Sequence, residues 1–279
     1  HRCHKAHRGR DDQAVKGPTV RASHDPTAFL LYVWSHRAMY VGSSPDNALH
    51  KHHAAQLCVG LYATLRVREA RSAPWLDARV VLIPPDRPHE INAGTAPILV
   101  IYWEPQSQDY PFEDCGPTVQ AFPVNAHGLS ALVTLGPDRS DPTQAWARCV
   151  SALGLTGGQS NKDLDPRVAA TLERIRSAPA ESHTLQSRAA AVHLSPSRLR
   201  HVFSEQVGVA LRRFIVWTRV RQAVRLALTG ASLTEAAHAA GFADAAHMSH
   251  TFRRMFGFAP SVLFAPNVPK RVFLVEDGD

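Results

Sequence analysis

The stretch that most constrains this chain runs from Leu233 to Phe264, LTEAAHAAGFADAAHMSHTFRRMFGFAPSVLF. The helix period predicts a short helix from Leu233 to Ala240, a break at Gly241, and a second helix from about Asp244 to Phe256. Leu233, Ala236, Ala237 and Ala240 share one face of the first helix. Met248, Thr251, Phe252 and Met255 share one face of the second, so the pair can close on a small common core. Ala237 and Ala240 are small where the helices must approach, Gly241 permits a tight turn, and Asp244 is placed to cap the second helix. An αα-hairpin in any helical domain would satisfy the same pattern.

The pattern occurs twice. In TLQSRAAAVHLSPSRLRHVFSEQVG, Leu185, Ala189 and Leu194 correspond to Leu233, Ala237 and Phe242 at an offset of 48. Leu199, His201 and Phe203 correspond to Met248, His250 and Phe252 at an offset of 49, so the second turn holds one extra residue. Ser195 followed by Pro196 is a strong helix start. Between the units, Val209 to Thr229 predicts one long helix with an apolar stripe of Val216, Val220, Ala223 and Ala227. Its length, about 30 Å for about 20 residues, is close to the spacing of about 34 Å between successive major-groove faces of a duplex. Two outward helices could therefore enter adjacent grooves.

The run RRFIVWTRVRQAVRLALTGASLTEAAHAAGFADAAHMSHTFRRMFGFAPS resembles the DNA-binding domain of AraC/XylS transcription regulators, over about 100 residues from Asp165 to Phe264. The resemblance rests on the doubled unit, the A-x-x-x-G-F of Ala237 to Phe242 and the F-R-R-x-F-G-x-x-P of Phe252 to Pro260. It implies two helix-turn-helix units whose second helices read bases. By position the readers are Ser197, Arg198, Arg200 and His201 in the first unit and Ala246, His247 and His250 in the second, with Arg253 and Arg254 on phosphates. Two departures stand out: His193 occupies the turn position that is Gly241 in the second unit, and His250 stands where many relatives carry Arg. His247 and His250, one turn apart, could alternatively be solvated or hold a metal.

Charge agrees with a nucleic-acid partner. Asp165 to Phe264 holds thirteen Arg and no Lys against six acids, a surplus equal to the net +7 of the whole 279-residue chain. Arginine suits bidentate contact with phosphate and guanine, although a genome that favours Arg codons would give the same count. Cys3, Cys58, Cys115 and Cys149 are scattered, with neither a zinc-ribbon spacing nor a disulfide framework. No 18-residue apolar run or secretory core appears, so a cytoplasmic protein with no membrane partner is expected.

Residues 1–28 read as a disordered or non-native leader. From Phe29 the period changes to short apolar or alternating runs: FLLYVW, AMYV, QLCVGLY, TLRVRE, ARVVLI and PILVIYW, separated by turn formers. They predict a small antiparallel barrel or jelly roll, with a β-sandwich as the other solution. Within them, His50-Lys-His52 is followed by Pro84, Pro88 and His89, which resembles the two cupin motifs of AraC-type sensor domains, and Trp103-Glu-Pro105 resembles the end of such a domain. The positions that hold a metal in cupin enzymes are His50, His52, Gln56 and His89 here, with neutral Gln in place of a carboxylate. They are candidates for a small-molecule effector or a divalent metal in the barrel, no bound cofactor being certain from sequence.

The expected chain is thus an α+β multidomain protein: an N-terminal antiparallel β cupin-like barrel and a C-terminal all-α double helix-turn-helix. Residues 29–105 form the sensor, 106–164 a connecting segment with a possible dimerisation helix from Thr143 to Leu155, 165–264 the DNA-binding domain and 265–279 a tail. Trp146, Cys149, Val150 and Leu153 line one side of that helix, which could serve a homodimer or pack on the chain's own barrel. The resemblance implies a non-enzymatic regulator with double-stranded DNA, RNA polymerase, a second copy and an effector as partners. The alternative is a cupin metalloenzyme with an appended helical domain. No Ser-His-Asp set, phosphate loop or paired carboxylates indicate another enzyme. An imidazole contacts DNA most strongly when protonated, so reading by His250 predicts affinity that weakens as pH rises from about 6 to about 8. A flat profile in a fluorescence-anisotropy titration would remove His250 from the readers.

Overall fold

A computed structural model describes residues 29–44, 47–112, 115–134, 141–155, 164–181, 184–264 and 270–276. The leader 1–28 and the linker Thr156 to Asp163 lie outside the described residues. The N-terminal part contains β1 (Phe29–Val33), β2 (Arg37–Ser43), β3 (Ala55–Gly60), β4 (Leu65–Arg68), β5 (Leu76–Ala78), β6 (Val80–Ile83), β7 (Glu90–Asn92), β8 (Pro97–Trp103) and β9 (Gln120–Ala121), followed by α1 (Ala126–Val133) and α2 (Pro142–Ala152). The C-terminal part contains α3 (Pro166–Ser177), α4 (Leu185–Ala190), α5 (Pro196–Val207), α6 (Leu211–Leu228), α7 (Leu233–Ala239), α8 (Ala245–Phe256), α9 (Ser261–Phe264) and a final strand β10 (Lys270–Leu274).

The strand pattern explains the layers. β1 and β6 are apolar without alternation, as is β3 apart from Gln56, and all three are buried along their whole length, which requires cover on both faces. β4, LRVR, alternates buried and exposed, as a strand with one solvated face does. The covered strands belong to a seven-stranded sheet of order β10-β1-β2-β8-β3-β6-β9, and β4 is the centre of a three-stranded sheet, β5-β4-β7. The described strands do not close into a ring. Two sheets packed on each other give the jelly-roll form of the predicted barrel.

One face of the large sheet (Leu57, Val59, Leu82, Leu99, Ile101) packs under α1 and α2. The other (Cys58, Val81, Ile83, Ile98, Val100) meets Leu65, Val67 and Ile91 of the small sheet. Cys149 and Leu153 of α2 are buried on the sheet, and Trp146 lies against Trp34 and Trp103 at 5.2 and 4.6 Å. The apolar stripe considered for a dimer is therefore covered by the chain's own sheet. β9, α1 and α2, assigned from sequence to a connecting segment, pack as part of the N-terminal domain.

In the helical domain α6 is a spine. Leu211, Phe214 and Trp217 enter the core of the first unit with Ala189, Leu199, Val202 and Phe203. Val220 and Ala223 enter the core of the second with Ala236, Ala237, Ala240, Met248 and Phe252. Only Val220 and Ala223 of the predicted stripe are buried; Val216 and Ala227 are partly exposed, because the larger Phe214 and Trp217 decide which side of the first half faces inward. The two units are copies: α5 and α8 each hold twelve residues and end on a left-handed glycine, Gly208 at φ 76° and Gly257 at φ 80°. Ser195 and Asp244 cap α5 and α8 as predicted, and Ser232 with Glu235 adds a full capping box to α7.

β10 was not expected. After α9 the chain returns to the sensor and pairs in parallel with β1, Phe273 stacking on Tyr32 at 4.8 Å. The tail is thus an edge strand of the first domain.

The turn of each unit needs positive φ, 55° at His193 and 84° at Gly241. A Cβ at Gly241 would also come within 2.7 Å of Ala180 Cα. Gly241→Ala should therefore cost at least about 1–2 kcal/mol, whereas His193→Gly relieves about 1–2 kcal/mol of left-handed strain against about 0.5–1 kcal/mol of added chain entropy and should be neutral or slightly stabilising. Denaturant unfolding of the two variants measures the asymmetry.

Candidate DNA interface and sensor site

Helix capping and the buried faces of α5 and α8 decide what these helices present. Ser195 Oγ accepts from the amide of Arg198 at 3.2 Å, and Asp244 Oδ1 accepts from the amide of His247 at 2.7 Å, ordering both first turns. With Leu199, Val202, Phe203, Met248 and Phe252 turned inward, Ser197, Arg198, Arg200 and His201 are exposed on α5. Ala246, His247, His250, Arg253 and Arg254 are exposed on α8. All nine residues singled out for DNA contact thus lie on outer surfaces of the two helices that the resemblance marks as readers. The His201–Glu205 pair, 3.9 Å apart and exposed on both sides, is too solvated to hold the reading face in place.

The structure also brings His50, His52, Gln56 and His89 together, all buried. A β-bridge joins His50 to His89, and Gln56 extends from β3. His52 Nε2 and His89 Nε2 lie 2.7 and 3.0 Å from Gln56 Oε1. The candidate ligand atoms of the three histidines all fall within 4.8 Å of one another. Burial disfavours the imidazolium, lowering His50 to about 3 and His52 to about 4, and His89 moves the same way. The three rings are therefore neutral at physiological pH. His53 turns away, to Gln106 Oε1 at 2.9 Å and the Phe214 ring at 5.6 Å, as a neighbouring residue should. Three imidazoles suit a late first-row metal better than magnesium or calcium.

A third group had no sequence signal beyond its place in the Trp103-Glu-Pro105 motif that follows the apolar run PILVIYW. Glu104 is 2% exposed between the two domains. Its carboxylate accepts from Arg221, from Trp217 Nε1 at 2.8 Å and from Arg176 Nη2 at 3.0 Å, with His36 Nδ1 at 3.4 Å. Burial alone would raise this carboxyl, but Arg221, His36, Arg176 and Trp217 together hold it far below the usual carboxylate range. Arg221 also donates to the carbonyls of Trp34 and Ser35, so α6 is fastened to the sensor at three points.

Beside this cluster lies a cavity of about 130 Å³. The sequence placed any effector pocket inside the barrel. The cavity instead sits at the mouth of the β interior (Leu31, Tyr40, Ile98, Val100), and the helical domain completes its wall with Trp217, Val220, Phe252 and Phe256. Its lining is mostly apolar, with His36, Arg37 and Glu104 at the rim. The volume approaches that of the apolar cavities, about 150 Å³, that accept benzene.

Residues 188–265 match the helix-turn-helix domain family. The arabinose operon regulatory protein of Salmonella typhimurium is 33% identical over 100 residues, 35% of this chain. The chain spans about a third, 36%, of that relative's length. Among solved structures, apo ToxT of Vibrio cholerae superposes with a TM-score of 0.59 at 12% identity, over 82% of this chain and 97% of that one. Unsaturated-fatty-acid-bound ToxT superposes at 0.56 and 12%, over 87% and 98%. At such identity the likeness is one of fold, and it extends over both domains.

Glu104→Gln should leave Arg176 and Arg221 without their countercharge and destabilise the domain contact by about 3–5 kcal/mol. The native carboxyl titrates below its unfolded value. Its contribution is therefore complete above the unfolded pKa, about 4.3, and is lost as pH falls through and below it. Unfolding followed against pH should show a steeper acid loss in the native chain than in the variant.

Proposed function

Because the chain joins the helix-turn-helix domain of AraC/XylS regulators to a ToxT-like two-domain fold, we propose that it is a sequence-specific DNA-binding transcriptional regulator that responds to an effector through its cupin-like domain. The observation that carries this reading is the duplicated unit. Two capped helices of equal length, joined by one spine helix, expose the same kind of residues outward. α6 holds 18 residues, about 27 Å of helix, and the width of the helical units at its two ends makes up the rest of the spacing of about 34 Å between successive major-groove faces. Ser197, Arg198, Arg200 and His201 read one groove and Ala246, His247 and His250 the next, while Arg253 and Arg254 anchor on phosphate. RNA polymerase and a second copy of the chain belong to this reading as further partners, and a DNA partner implies a cytoplasmic protein. Among the described residues no helix is long and apolar enough to cross a membrane.

The cavity supports an apolar effector. It touches both domains, so a ligand there contacts the inner side of α8, whose outer side carries the readers. ToxT has been solved with an unsaturated fatty acid bound. A chamber near benzene in size takes one end of such a chain, and Arg37 at the rim suits a carboxylate. No catalytic role is assigned to any residue.

Binding of the chain to genomic fragments at several salt concentrations tests the reading. Selective binding with a logarithmic salt slope of several units is expected. Arg200→Ala should cost about 1–3 kcal/mol on the selected fragment and little on random DNA. Arg254→Ala should weaken both alike and lower the salt slope by about one. Equal losses on both DNAs for Arg200 would remove its reading role, and salt-independent, unselective binding would remove the function. Repeating the titration with an unsaturated fatty acid should shift the affinity; no shift would exclude that effector class.

A further inference from the structure

The histidine cluster carries more than its membership of the sensor. Each imidazole directs Nδ1 at a backbone carbonyl: His50 at Ala48 O (2.8 Å), His52 at Ala54 O (2.9 Å) and His89 at Arg87 O (2.9 Å). A carbonyl only accepts, so in each neutral ring the proton sits on Nδ1 and Nε2 presents a lone pair. This is the outer-shell arrangement that orients metal-binding imidazoles. Gln56 turns its carboxamide oxygen toward the Nε2 atoms of His52 and His89, while its amide nitrogen donates to Cys58 Sγ at 3.0 Å. Acceptors thus face acceptors in a buried place. That arrangement is repulsive unless a cation sits among them or the amide turns over and gives its two N–H groups to the rings.

The cluster is also seated on the second reading helix. Gly257 is the left-handed cap that ends α8, and its carbonyl accepts from the amide of Ala48 at 3.0 Å. A Cβ at Gly257 would fall 2.8 Å from His50 Nδ1 and 2.6 Å from Ala48 O. The His52 ring lies 6.0 Å from Phe256, one residue before that cap. The loop that supplies two of the three imidazoles therefore rests directly on the end of α8.

We propose that His50, His52, His89 and the Gln56 carboxamide oxygen form a binding site for a late first-row divalent cation such as zinc, and that occupancy of this site orders the C-terminal turn of α8 through the Ala48–Gly257 contact. No carboxylate stands among these donors, so the bound ion keeps its full charge. The link to DNA rests on the regulator reading; the site itself does not.

The test uses the full chain, stripped with chelator and titrated with Co²⁺ as a visible probe. One saturable absorption band, displaced by Zn²⁺, is expected. His50→Asn and His89→Ala should each weaken it by at least about ten-fold. Gln56→Glu adds a carboxylate at an unchanged size and should tighten Co²⁺ binding by a similar factor, which keeps the test decisive if a histidine variant fails to fold. Zn²⁺ should slow amide hydrogen exchange at Arg253 to Gly257. Absence of a band overturns the site. So does a band that survives both histidine substitutions, since His1, Cys3, His4 and His7 offer other ligands, or one that Gln56→Glu leaves unchanged. A band that behaves as expected with no change in exchange overturns the coupling to α8. DNA is absent from every arm, so failure here and failure of the regulator reading are separate results.

Discussion

A carboxylate buried between two domains is the constraint around which the molecule is arranged. Glu104 loses its hydration where it stands, and an ionised carboxylate in that position survives only if donors replace the lost water. Three of the donors, Arg176, Trp217 and Arg221, belong to α3 and α6 of the helical domain. The sensor thus satisfies its own buried charge only when the helical domain is docked in one orientation. Such a cluster adds little net stability over an apolar replacement; what it supplies here is a single permitted arrangement.

That arrangement has consequences at a distance from Glu104. It lays α6 across the mouth of the β interior, so the cavity is walled by both domains and neither part alone encloses it. It seats the Ala48 loop on the cap of α8. It also brings the tail back to the sensor, where β10 pairs with β1 and covers an edge that would otherwise expose unpaired backbone groups. The N-terminal and helical domains are therefore connected by an ion cluster, an apolar cavity, a helix cap and a strand.

In the proposed regulator, Phe252 and Phe256 give binding at the cavity a short route to the outer side of α8. Both line the cavity from α8, and His250, Arg253 and Arg254 leave the same helix on its outer side. A ligand that changes the packing of the inner residues bears on the outer ones through one rigid turn. Whether the occupant is an apolar molecule in the cavity or a cation at the histidines beside it, the receiving element is the same.

The sequence by itself determined what repeats and what is local. The helix period, the small residues of the turns, Ser195-Pro196 and Asp244 marked both units to within a residue or two. Apolar runs flanked by turn formers marked most strands, because capping, turn chemistry and periodicity act over a few neighbouring residues. His50, His52 and His89 could be grouped through a motif spacing. Only the tertiary structure decided that α2 is spent on the chain's own sheet, that Phe214 and Trp217 orient the spine, that the tail is a strand, and that the cavity lies between domains. The role of Glu104, legible only as part of a motif, was invisible for the same reason. Its three donors from the helical domain stand 72 to 117 positions away, and what a buried charge means depends on which distant donors the fold carries to it.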